Sequence, residues 1–168
     1  MASLQQILQS RDDRQSHQQS LLREHPGKTL LCLTVIMPGE SKRNAESLIV
    51  AGAAMCALLQ HFGADKPYVE TRDLETGFEA YLLTSAPVLD AKRAVCHIED
   101  THPLGRLFDI DVITRDGPVS RSEVGLPERQ CLLCSRPARE CMRAHRHTLP
   151  GLKAEIERMV RDFVSETQ

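Results

Sequence analysis

The sequence predicts an α+β fold, a ferredoxin-like or palm-like βαββαβ two-layer sandwich with an extra N-terminal helix and a Cys-rich C-terminal helical segment. Three observations predict it. Residues 29–37 form a short, nearly continuous apolar run closed by Pro38-Gly39, the mark of a buried strand. Residues 67–74 and 77–84 read as two more strands, joined through Glu75-Thr76-Gly77 as a hairpin turn. Helical patterns separate the strands, so the order is strand, helix, strand, strand, helix, strand.

Taken in order, residues 3–25 favour a helix, with Leu4, Ile7 and Leu8 at one end and Leu21 and Leu22 at the other. The stretch between them is very polar, so this helix either docks loosely or displays polar groups for a reason. His25-Pro26-Gly27 stops it. After the first strand, Ser41 is the expected cap of a helix running through Ala45, Leu48, Gly52, Ala53 and Leu59 to Phe62. Its small residues suit close packing on a sheet. Pro87 opens the next helix, through Leu89, Ala91, Val95 and Ile98. Residues 106–114 are the fourth strand, turned by Asp116-Gly117. A last amphipathic helix, 149–164, carries Leu152, Ile156, Met159, Val160 and Phe163 on one stripe.

A chain of 168 residues, 41% hydrophobic and 26% charged, suits one domain with a real core. Residues 1–168 are therefore read as one unit: an N-terminal helix (1–27), a βαββαβ core (28–119) and a Cys/Arg-rich segment with the final helix (120–168). No apolar run reads as long enough to cross a bilayer, and the N-terminus lacks a secretory pattern, so a cytoplasmic protein with no membrane partner is expected. A net charge of -2 and only 4% aromatic residues argue against a nucleic-acid partner. Arginines nevertheless concentrate between residues 114 and 147, a local basic excess suited to an anionic ligand or to a solvated surface.

The most informative stretch is Leu107-Phe108-Asp109-Ile110-Asp111-Val112-Ile113. With period-two alternation, Phe108, Ile110 and Val112 face the helices, and Asp109 and Asp111 share the open face. Two neighbouring carboxylates repel unless a cation lies between them. Such a pair suits Mg²⁺, which takes one or two carboxylates plus water and substrate phosphates. Two outward charges that keep a strand soluble would show the same spacing. His102-Pro103-Leu104-Gly105-Arg106 leads into this strand; Gly105 permits close approach to a ligand, and Arg106 suits bidentate phosphate binding. Cys131, Cys134 and Cys141, with His145 and His147 downstream, offer zinc-type ligands, and equally read as reduced thiols without metal. Arg11, Arg14, Lys42 and Arg43 are individually ordinary surface cations.

Taken together, the block 102–112, Leu-Pro-Glu-Arg-Gln-Cys-Leu-Leu-Cys at 126–134 and the later Cys141-x5-His147 closely resemble the apo-citrate lyase phosphoribosyl-dephospho-CoA transferases, or holo-citrate-lyase synthases. Ser-Arg-Asp-Asp-Arg-Gln at 10–15 and Pro38-Gly39-x2-Lys42 also look like that family. The resemblance implies a nucleotidyltransferase-type enzyme. It takes 2'-(5''-triphosphoribosyl)-3'-dephospho-CoA, made elsewhere, to a serine of the citrate lyase acyl carrier (gamma) subunit, and pyrophosphate leaves. In this setting Asp109 and Asp111 are the expected Mg²⁺ ligands, Arg106 and Lys42 the triphosphate contacts, and Arg11, Arg14 and Arg121 weaker candidates for phosphate or carrier. His102 or one of the two carboxylates is the expected base. Rival readings are the same transfer to a malonate decarboxylase-type carrier, or a non-catalytic module held by zinc at Cys131, Cys134, Cys141 and His147.

Overall fold

The computed structural model describes residues 3–167. Helix α1 (Leu4–Glu24) begins with a reciprocal capping box: the Gln6 N–H donates to Ser3 Oγ at 3.2 Å, and the Ser3 N–H donates to Gln6 Oε1 at 2.7 Å. Then follow β1 (Thr29–Val35), α2 (Ala45–Phe62), β2 (Tyr68–Leu74), β3 (Gly77–Thr84), α3 (Val88–Thr101), β4 (Phe108–Thr114), a short β5 (Gly117–Pro118), α4 (Ala138–Arg143) and α5 (Leu149–Glu166). The expected cap of α2 moves by three residues. Ser41 Oγ turns to the Arg43 carbonyl within the loop. Asn44 instead accepts the Ser47 N–H at 2.8 Å and donates its own N–H to Ser47 Oγ. Asn and Ser cap about equally well, and here the loop leaves Asn44 free to reach the N–H groups of the first turn while Ser41 is engaged within it.

The sheet order is β2-β3-β1-β4-β5, with every neighbouring pair antiparallel. Its first four strands are the split βαβ arrangement expected from the element order. Leu31, Leu33, Ala80, Leu82, Ile110 and Val112 point to one face, where α2, α3 and α5 close the main core with Val50, Leu58, Val95 and Ile156. The opposite face is not open. Helix α1 lies over it, and Leu21 and Leu22 pack on Leu30, Leu83 and Ile113. A central strand with both faces covered reads as a continuous apolar run rather than an alternating one. That is why β1 is Leu-Leu-Cys-Leu at its centre. The N-terminal helix thus adds a third layer to the two-layer core.

Contrary to the sequence-based expectation, one segment, Ala45–Asp65, is long and apolar enough to cross a membrane, with a mean hydropathy of 1.6 in its best window. Its alanines and aliphatics raise that value, and Val50, Ala53, Ala54, Leu58 and Phe62 spend it on the core beneath.

Candidate active site

The face under α1 changes character along the strands. In the register, Leu83, Leu30 and Ile113 make an apolar row under Leu21 and Leu22. The next row is Glu70, Tyr81, Cys32 and Asp111; the one after is Arg72, Glu79, Thr34 and Asp109. Helix α1 matches this gradient residue by residue. His17 Nε2 lies 2.9 Å from Glu70 Oε2, and its ring meets Tyr81 edge-on at 4.7 Å. Arg14 Nε donates to Glu79 Oε1 at 2.9 Å, and the Ser10 hydroxyl meets that of Thr76 at 2.9 Å. The polar middle of α1 is therefore the cover of a polar sheet surface.

Glu79 is almost wholly buried and also accepts the Tyr81 hydroxyl at 2.6 Å. Burial first, and then the Glu79 carboxylate, push the Tyr81 phenol upward. Burial likewise pushes the Cys32 thiol up to about 12, so it is a neutral core group.

Asp109 and Asp111 lie beside one another on this face, as alternation predicts. Asp109 accepts the Thr34 hydroxyl at 3.2 Å and sits 3.6 Å from the Arg129 guanidinium, with half its side chain exposed. Asp111 is half-buried, and its carboxylate has no hydrogen-bond partner among the described residues. Burial, and then the charge of Asp109, push its carboxyl above the usual range. A carboxylate held in that state gains from a cation placed between the pair. The donor set of the pair, hard carboxylate oxygens facing an open cavity, fits Mg²⁺.

A cavity of about 900 Å³ opens over this pair. Arg11 and Arg14 of α1, Lys42 of the β1–α2 loop, and Arg106, Arg121 and Arg129 all reach its lining, together with Asp109 and Asp111. The structure thus collects most of the dispersed candidates around one space. Their present engagements differ. Arg11 has no acidic partner among the described residues. Lys42 Nζ donates to the Met37 carbonyl at 2.5 Å, and burial, then Arg11, lower its pKa. Arg106 is turned to the Cys-rich loop, donating to the Cys131 carbonyl at 2.7 Å and to Gln130 Oε1 at 3.1 Å. Arg121 is paired with Glu99 at 3.4 Å and with Asp100.

His102 and Gly105 stand apart from that cavity. His102 Nδ1 accepts the Leu104 N–H at 3.0 Å, and its ring packs against Phe108 and Phe163. It faces a separate cleft of about 420 Å³, and burial lowers its pKa. The close approach that Gly105 permits is to protein: a Cβ there would stand 2.3 Å from the Glu99 carbonyl oxygen.

Sequence reasoning missed three groups. Arg129 donates to the carbonyls of Gly105, Arg106 and Phe108, and lies near both Glu99 and Asp109. Glu99 is buried and accepts the Ile110 N–H at 3.0 Å; burial pushes its carboxyl up, opposed by Arg129. Lys92 is buried on the same side of α3 and reaches the cavity lining. A signal existed for two of these. Lys92 and Glu99 are seven residues apart on the buried stripe with Val95, where charged residues are out of place. Arg129 carries no such mark, since its role depends on a loop returning to β4.

The Cys-rich segment brings Cys131, Cys134, Cys141 and His147 together, with their ligand atoms within 4.8 Å of one another. His145 is left out of the cluster. It takes a positive φ of 44° just past α4 and turns the chain so that His147 comes back to Cys141.

A carboxylate pair under a cavity lined by arginines is an arrangement suited to group transfer from an anionic donor. Comparison with known proteins agrees. Residues 2–163 match the family model described as apo-citrate lyase phosphoribosyl-dephospho-CoA transferase. A Vibrio cholerae protein named as a probable apo-citrate lyase phosphoribosyl-dephospho-CoA transferase is 41% identical over 96% of this chain and 93% of its own length. A Citrobacter koseri protein named as an apo-citrate lyase phosphoribosyl-dephospho-CoA transferase is 37% identical over 95% and 89%. A Streptococcus pyogenes protein named as a probable one is 33% identical over 97% and 88%. The chain belongs to this transferase family.

Proposed function

We propose that this protein transfers the phosphoribosyl-dephospho-CoA group to apo-citrate lyase. The acceptor is a serine of the acyl carrier (gamma) subunit, and the donor is 2'-(5''-triphosphoribosyl)-3'-dephospho-CoA. The observation that carries this reading is the Asp109/Asp111 pair at the floor of an arginine-lined cavity.

In the reaction the serine Oγ attacks the α-phosphorus of the triphosphate. A phosphodiester bond forms, and the bond from the α-phosphorus to the bridging oxygen breaks. That oxygen leaves with its electron pair as pyrophosphate. Arg11, Lys42 and Arg14 line the side of the cavity toward α1, and their charges suit the β- and γ-phosphates. Arg129, 3.6 Å from Asp109, holds that carboxylate in place. Mg²⁺ bound by Asp109 and Asp111 would offset charge on the transferring phosphate. The serine proton is assigned to a carboxylate of the pair rather than to His102, because His102 faces the separate cleft with Nδ1 already engaged.

The test is mass spectrometry of apo carrier incubated with the protein, the triphosphoribosyl precursor and Mg²⁺. The expected mass gain equals the prosthetic group and disappears without Mg²⁺. Asp111→Asn should slow transfer by at least about 100-fold, the order expected when one electrostatic element of a charged transition state is removed. An Asp111→Asn rate equal to wild type with Mg²⁺ present would sink the metal assignment. A malonate decarboxylase-type carrier run in parallel tests the acceptor: modification at least as fast as that of the citrate lyase carrier would overturn it.

A further inference from the structure

The Cys-rich segment between β5 and α5 lies outside the chemistry above. Its backbone has little else to order it. Residues 125–137 contain no helix or ladder strand, and the Gln130–Pro137 bridge is isolated. Yet its side chains converge. Cys134 Sγ lies 3.5 Å from both Cys141 Sγ and His147 Nε2. In a tetrahedral site with Zn–S of about 2.3 Å and Zn–N of about 2.0 Å, neighbouring ligand atoms stand about 3.5–3.8 Å apart. Cys131 and Cys141 are buried, and none of the six cysteines forms a disulfide. The Cys131 N–H donates to the Arg136 carbonyl at 2.8 Å, closing the tight turn that presents the first two sulfurs on one side.

We propose that Cys131, Cys134, Cys141 and His147 bind one Zn²⁺ in a closed tetrahedral site that fixes this segment against the start of β4. Four protein ligands leave no open position, so the metal is structural. Its consequence lies two residues away. Arg129 and Arg106 form a reciprocal cross-link: Arg129 donates to the carbonyls of residues 105, 106 and 108, and Arg106 donates to the Cys131 carbonyl and Gln130. The zinc-bound turn holds the strand of loop that carries Arg129, and so sets its place 3.6 Å from Asp109. Arg129 is in this sense a positioning residue. The metal site stands independently of the transfer reaction proposed above.

Metal analysis of the full chain, purified under reducing conditions without added chelator, should find one zinc per protein. The apo protein titrated with Co²⁺ should develop intense tetrahedral d–d absorption and thiolate-to-cobalt charge transfer, saturating at one equivalent. This readout needs no variant to fold. Cys134→Ser and His147→Ala should lower retained zinc at least tenfold, whereas Cys56→Ser, on exposed α2 surface, should keep it. His147→Cys should rescue binding with a shifted cobalt spectrum. Hydrogen exchange tests the coupling: the amides of Cys131 and Ala138, which donate to Arg136 and Arg129, should exchange at least tenfold faster in the apo protein. Absence of zinc together with an octahedral or featureless cobalt spectrum overturns the site. Unchanged exchange on metal removal overturns its ordering role.

Discussion

Replacing Gly105 by Ala separates a structural role from a ligand-facing one at a position between α3 and β4. The added Cβ would stand 2.3 Å from the Glu99 carbonyl oxygen and 2.8 Å from both the Glu99 carbonyl carbon and the Ile98 carbonyl oxygen. Ordinary C···O contacts need about 3.3 Å, so one element must retreat by about 1 Å. Neither gives easily. All three obstacles are backbone of the last turns of α3, and the Glu99 side chain is pinned to the Ile110 N–H and flanked by Arg121 and Arg129. Overpacking costs about 1–3 kcal/mol, and a rigid obstacle sets the upper end, about 3 kcal/mol. With a urea slope of about 2 kcal/mol/M for a domain of this size, the unfolding midpoint should fall by about 1.5 M. Gly52→Ala is the control. Nothing lies within 4 Å of its Cβ position in α2, so helix propensity should raise stability by about 0.5–1 kcal/mol. A Gly105→Ala midpoint within about 0.3 M of wild type would refute the packing argument. Unchanged stability with weakened donor binding would instead return Gly105 to a ligand-facing role.

Two further outcomes follow from the same reasoning. Arg14→Met should destabilise the protein by about 3 kcal/mol in urea unfolding, because it leaves the Glu79 carboxylate buried without its cation, with only the neutral hydroxyls of Tyr81 and Ser10 as donors. The added Glu79→Gln should recover much of that loss; a loss below about 1 kcal/mol for Arg14→Met alone would show that the pair is not what anchors α1. Asp65 accepts hydrogen bonds from the Ser85 N–H and the Thr84 hydroxyl, which hold its carboxyl below the usual range, the backbone donor first. Its stabilisation is therefore present above the unfolded-state value, about 3.9, and is lost as pH falls through the lower folded value. Wild type should lead Asp65→Asn in unfolding midpoint at pH 7, and the gap should close in acid; a gap that stays constant down to pH 2 would rule this out.

Local patterns carried much of this protein. The β1 run, the hairpin at residues 75–77 and the alternation in β4 are short-range consequences of backbone geometry, and the structure repeats them. The register placement of Asp109 and Asp111 on one face needed only a period of two. The cap at Asn44 rather than Ser41 shows where such reasoning loses resolution: both are good caps, and the choice rests on which one the loop leaves free.

Other features were written in no single stretch. The polar middle of α1 made sense only once Glu70, Glu79 and Thr76 were beneath it, because complementarity is a property of two surfaces. Arg129 gained its role when a loop returned to cross β4, and Gly105 gained its constraint from the end of α3. The sequence by itself determined the order of elements, the carboxylate pair and the family. Tertiary structure alone decided which arginines share a cavity with that pair, that His102 does not, and that the ligand atoms of Cys131, Cys134, Cys141 and His147 lie within 4.8 Å of one another. The physical reason is that strand and helix periods act over a few residues, whereas burial, charge pairing and ligand convergence depend on distances that the chain sets only when it folds.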